Sequence, residues 1–117
     1  MNGDEEIVLK LPRHGFGRLS IKWFIEEYMY QRSKTSEPYA CISDIHAACK
    51  LFYKRMNKKP PLYLSVWRIC SDMRESGVLV TLDMGTADEE DTNIRKKYVA
   101  LSEKQIAKLD VEHEKEM

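Results

Sequence analysis

The side chains best equipped for chemistry in this 117-residue chain are three cysteines, three histidines and a run of lysines and arginines. Cys41, His46 and Cys49 form C-x4-H-x2-C, and His46 and Cys49 stand three apart, close enough to share one face of a helix. A closed zinc site needs four ligands, usually with a tight C-x2–4-C pair among them. That pair is missing, and only the distant Cys70 is left as a fourth ligand. We therefore expect no metal and no cofactor. Three cysteines at loose spacing are no disulfide framework either, and read as reduced thiols acting as small core hydrophobes. No serine elbow and no nucleophile–base pairing is legible, and the carboxylates fall in a loop and a tail. The expectation is that the chain is not an enzyme.

The basic residues are more informative. Formal net charge is zero, but its distribution is uneven. From Ile45 to Ser71 there is no Asp or Glu in a chain that has 19, while Lys50, Lys54, Arg55, Lys58, Lys59 and Arg68 are all basic. The balancing acids sit in Asp83–Asp91 and Asp110–Glu116. Segregation of this kind creates a local positive field that the sum conceals. The field suits a polyanion; a merely solvated face is the plainer alternative.

The elements that must position these charges follow from periodicity. At 43% hydrophobic and 32% charged, the chain reads as one globular domain, with no apolar run near the ~20 residues that span a membrane. The acidic start MNGDEEIVLKLPRHGFGR has no apolar core of a secretory signal, and we expect a cytoplasmic protein. Ser20 is placed to cap a first helix, with Ile21, Phe24, Ile25, Tyr28 and Met29 on its buried face, fading near Arg32. Tyr39–Ile42 reads as a short strand. Ser43 is expected to cap a second helix, buried through Ile45, Ala48, Cys49, Phe52 and Met56, with Lys50, Lys54 and Arg55 open. Pro60 and Pro61 end it, since the residue before proline avoids helix. A third helix is expected from Leu64 or Ser65, burying Val66, Ile69, Cys70 and Met73. Gly77 fits its C′ position, where left-handed backbone favours glycine. Val78–Leu82 and Arg95–Leu101 read as a hairpin around the tip GTADEEDTN, and Ser102 as the cap of a last helix with Ile106, Leu109 and Val111 apolar.

This order resembles the winged helix-turn-helix family of DNA-binding domains. The resemblance is carried by ISDIHAACKLFYKRM, PPLYLSVWRICSDMRESGVLV and RKKYVALSEK. Members typically close the recognition helix with an apolar residue four before a glycine and open the wing with an apolar pair, as Met73, Gly77, Val78 and Leu79 do here. The second helix followed by NKKPP is similar to the C-terminal winged-helix domain of archaeal replication initiators. Small stand-alone winged-helix proteins of archaea, their viruses and plasmids are an equally good match. The implied fold class is α+β, mainly α, with a three-helix core, a β-hairpin wing and a C-terminal helix. The implied organisation is an N-terminal arm over 1–19, the domain over 20–110 and a charged tail over 111–117.

The resemblance implies a double-stranded DNA partner, with helix 64–76 in the major groove. Arg68 is then the main base-reading candidate, because a guanidinium grips guanine with two hydrogen bonds; the alternative is a solvated arginine paired with Asp72. Ser65 and Ser71 would bond a base or phosphate, and Tyr63 a phosphate. Lys54, Arg55, Lys58 and Lys59 would neutralise phosphates, joined by Arg95 and Lys97 at the wing base. Trp67, at the edge of the apolar stripe, reads as a packing residue more than a stacking platform. The acidic tip ADEED departs from the family, whose wing tips often carry Arg or Lys, and suggests a protein partner there or plain solvation. RHGFGR is either a groove-entering arm or a strap held by Phe16. A homodimer through the last helix or the arm is expected, unless Ile106 and Leu109 close the monomer core. The function implied is transcription regulation, or replication or partition of a replicon, at the nucleoid. The alternative is a winged-helix adaptor that binds protein and not DNA.

Overall fold

The structure, a computed structural model, describes residues 18–82 and 98–115. The chain runs α1 (Arg18–Arg32), β1 (Ala40–Cys41), α2 (Ile42–Arg55), α3 (Tyr63–Glu75), β2 (Leu79–Leu82), β3 (Tyr98–Leu101) and α4 (Glu103–Lys115). It is an α+β fold, mainly helical, with one three-stranded antiparallel sheet in the order β1-β3-β2. The arm over 1–17, Phe16, the tip residues 88–91, Arg95, Lys96 and Lys97 lie outside the described residues. None of the described helices is long and apolar enough to cross a membrane.

The core forms where the apolar stripes of α1, α2 and α3 meet the inner face of the sheet. Phe24, Ile25 and Met29 come from α1, Ile45 and Cys49 from α2, and Val66, Cys70 and Met73 from α3; all are buried. Leu79, Val99 and Leu101 close it from the sheet. Every apolar position expected to be buried in α1 and α3 is buried, because a 3.6-residue period leaves only one stripe for the core. In α2, Tyr53 joins Ile45, Cys49 and Phe52, while Ala48 and Met56 are only partly covered. The strands register Leu79 with Leu101 and Leu82 with Tyr98, and Ala40 with Val99.

The helix boundaries show which local forces win. Ser20 lies inside α1, which starts at Arg18, so it is not the cap. The N-cap of α2 is Cys41, in extended backbone, rather than Ser43. Its thiol donates to Asp44 Oδ2 at 3.2 Å. α2 ends before the prolines act. Asn57 takes the left-handed conformation (φ 62), its N–H bonds the Lys54 carbonyl at 3.0 Å, and the Lys58 N–H bonds the Tyr53 carbonyl at 2.9 Å. This is a Schellman stop, in which asparagine substitutes for glycine. α3 starts at Tyr63, with Leu62 as its N-cap, slightly earlier than its polar signals suggest. It ends in a second Schellman stop. Gly77 (φ 84) bonds Arg74 at 3.2 Å and Val78 bonds Met73 at 2.9 Å. A Cβ added at Gly77 would meet nothing within 4 Å, so backbone conformation alone calls for glycine there.

Ser102 caps α4 as expected, its Oγ accepting the Gln105 N–H at 3.2 Å. α4 continues to Lys115 and so takes in most of the stretch assigned to a tail. It docks on α1 through a polar seam. Tyr30 Oη donates to Asp110 Oδ1 at 2.6 Å and Lys34 Nζ to the same oxygen at 3.0 Å. The His113 ring stacks on Tyr30, and its Nε2 lies 3.1 Å from Glu27 Oε1. Leu109 is buried in the monomer core with Ile106 packed against it, so Leu109 is not open to a second copy of the chain.

Candidate nucleic-acid interface

Residues 56–62 join α2 to α3, and their path decides where the basic residues go. After Asn57 the chain forms no helix or strand through residues 58–62, and Leu62 before α3 is extended (φ −76, ψ 157). The chain returns along α2 as far as His46, whose Nε2–H donates to the Pro61 carbonyl at 3.1 Å. The His46 ring then meets the Tyr63 ring edge-on, with centroids 5.4 Å apart. His46 thus fixes both the end of the strap and the first residue of α3. In the sequence His46 stands out only through its three-residue spacing to Cys49.

His46, Lys50 and Lys54 stand four apart, so they form a line along α2 beginning beside Tyr63. Lys50, Lys54 and Arg55 are exposed on α2, and Lys58 and Lys59 are exposed on the strap. Arg68 is exposed on α3. Among the described residues, no carboxylate forms an ion pair with Lys50, Lys54 or Lys59. Geometry therefore gathers Lys54, Arg55, Lys58, Lys59, Tyr63 and Arg68 around the α2–strap–α3 unit. Ser65 and Ser71 are half-buried at its margins. Arg95 and Lys97 lie outside the described residues.

The outward face of α3 is less polar than expected. Trp67 does not pack into the core: it is 42% exposed, with Tyr63 at 46%, Leu64 at 51% and Leu62 at 72%. The reason is stoichiometric. Seven of the nine residues from Leu62 to Cys70 are apolar, more than one buried stripe can hold, so the surplus faces water. That count was available in the sequence. The exposed residues of α3 beyond Arg68 include Asp72 and Glu75, with Arg74 half-buried between them, so the exposed face is apolar and basic in its first half and acidic in its second.

Behind this face lie Cys49 and Cys70. Burial pushes both thiols up to about 12, which keeps them protonated at neutral pH. Among the described residues, no three His, Cys, Asp or Glu side chains converge on a possible metal position. The His46 Nε2 is engaged with the strap, and Cys49 points into the core. No protein-family model, no curated protein and no solved structure matches the chain.

Proposed function

We propose that this chain is a winged-helix protein that binds DNA through the α2–strap–α3 unit, in transcription regulation or in replication or partition of a replicon. The observation that carries the reading is the acid-free span 45–71, whose basic residues are exposed around one helix-turn-helix unit. Lys50, Lys54 and Lys59 have no ion-pair partner among the described residues, so their field reaches solvent. Arg68 offers the bidentate donor, and Tyr63 the hydroxyl at the start of α3. The order helix, strand, helix, helix, hairpin and the sheet order β1-β3-β2 support the winged-helix assignment.

A second reading, an adaptor that binds protein, is favoured by one observation: the exposed Leu62, Leu64 and Trp67. Salt separates the two. A DNA site that neutralises four to six phosphates loses affinity for duplex with a log–log salt slope of about −4 to −5. Fluorescence anisotropy of the whole protein with labelled DNA, across a salt series, measures that slope. Absence of binding to any DNA at low salt removes the DNA reading and leaves the adaptor.

A further inference from the structure

We infer that the outward face of α3 takes unpaired bases, so that the preferred DNA carries a single-stranded stretch; this rests on the DNA reading above. Tyr63 and Trp67 are four residues apart, which sets two aromatic side chains next to each other on one side of the helix. Both are more than 40% exposed. The edge contact from His46 holds the Tyr63 ring in place before any ligand arrives. Lys58 and Lys59 on the strap leading into α3, Lys50 and Lys54 on α2 beyond His46, and Arg68 next to Trp67 on α3 are all exposed. Aromatic platforms inside a basic track are what a single strand binds: the rings stack on base faces and the cations follow the phosphates.

A closed duplex uses this face poorly. Its base faces are covered by stacking, and only base edges are open to hydrogen-bonding side chains. On the exposed face of α3, Arg68 is followed by Asp72 and Glu75, with the half-buried Arg74 between them, so the second half of the helix offers no net positive charge to the phosphates that line a groove. A helix laid full length in the major groove would bring those two acids close to the backbone. A single strand crossing the first half of α3 avoids them and covers the exposed apolar surface. A second copy of this chain is a poor occupant, because a two-fold contact sets Lys58, Lys59 and Arg68 against themselves.

The test uses the whole protein and three fluorescein-labelled probes of about 20 nucleotides: a mixed-sequence single strand, the same sequence as a blunt duplex, and that duplex with a central unpaired bubble. Anisotropy is expected to give affinity for the single strand and the bubble roughly tenfold above the blunt duplex. Trp67→Ala is expected to lose roughly tenfold on the single strand and to leave the blunt duplex within twofold. Trp67→Phe, which keeps a ring, retains most of the affinity. Tryptophan emission falls when the single strand is added to the wild type, and this quench is absent in Trp67→Ala, where Trp23 is the remaining tryptophan. Thermal melting of each variant verifies that it is folded. Equal or tighter binding of the blunt duplex, or a single-strand affinity untouched by Trp67→Ala, overturns the inference and leaves the DNA reading standing. Failure of all three probes at low salt removes both and assigns the face to an acidic protein partner.

Discussion

The α1–α4 seam and the α2–α3 face are both charged, but they dispose of charge in different ways. In the seam, Tyr30 and Lys34 converge on one oxygen of Asp110, and His113 lies between Tyr30 and Glu27. These donors and acceptors come from α1 and the turn after it on one side and α4 on the other, far apart in sequence, and satisfy each other. On the other face the cations of residues 50–68 share one sign, and aromatic rings stand open beside them. Polar groups that pair across elements hold a fold together. Like charges gathered around open apolar surface gain little for the fold. The comparison therefore sets the scaffold beside the surface proposed to bind DNA, and variants on the two sides should report different observables.

The largest expected difference is in affinity. Lys54→Glu, Lys59→Glu and Arg68→Ala combined should weaken binding to single-stranded or bubble DNA by about 100-fold at low salt, because phosphate neutralisation is reversed at two positions. The melting temperature should move by no more than about 2 °C, since exposed charges contribute little to stability. Lys34→Ala in the seam should do the reverse, lowering the melting temperature slightly with affinity held within twofold. A triple variant that unfolds, or a Lys34→Ala variant that loses DNA, would erase the distinction between the two regions.

How much of this distinction could be read beforehand depended on which residues carried it. The buried stripe Val66, Ile69, Cys70 and Met73 was legible because helical periodicity admits one solution, and Gly77 because a left-handed C′ position strongly favours glycine. The acid-free basic span was legible as composition. The His46–Pro61 bond was not, because it joins residues 15 apart through a backbone carbonyl, and sequence pattern carries no trace of such a contact. The Asn57 stop was hidden behind Pro60 and Pro61, which gave a sufficient but different reason for the helix to end. Trp67 was assigned to packing by its residue type, whereas the crowding of apolar residues in 62–70 pushes it outward. The seam was missed for the same reason as His46: Tyr30 and Asp110 are 80 positions apart.

Next in size is the seam's own contribution. Tyr30→Phe removes the donor to Asp110 and should cost about 1 kcal/mol, the usual net value of a hydrogen bond at a half-exposed site. Its pH dependence has a definite sign. The Tyr30 hydroxyl and the Lys34 ammonium hold the Asp110 carboxyl below the ordinary aspartate range. A carboxyl with a depressed pKa stabilises the fold above its unfolded value and loses that effect as pH falls through the folded value. The hydrogen bond to Asp110 pushes Tyr30 up to about 12. A phenol with a raised pKa stabilises the fold below its ordinary value of 10.0 and loses that effect as pH rises toward 12. Urea unfolding of wild type and Tyr30→Phe should therefore show a gap that is constant from about pH 5 to 9 and closes at both extremes. A gap near zero at every pH would mean that ring packing against His113, which phenylalanine keeps, rather than the hydrogen bond, joins the helices.

The smallest expected effect bears hardest on the comparison. Trp67→Ala should change stability by less than about 1 kcal/mol, because the side chain is 42% exposed and alanine recovers some helix propensity. The contrast is Trp23, half-buried on α1 with its ring 5.9 Å from Phe52 at the edge of the core. Trp23→Ala should cost about 2–3 kcal/mol by opening a gap beside an aromatic cluster. If urea unfolding gave both variants the same loss, Trp67 would belong to the scaffold, and the open apolar face of α3 would be only the outer wall of its core. A near-zero change at Trp67 leaves folding with no use for a tryptophan at that position, which is the outcome expected if this exposed ring, next to Arg68 on α3, serves the proposed stacking on unpaired bases.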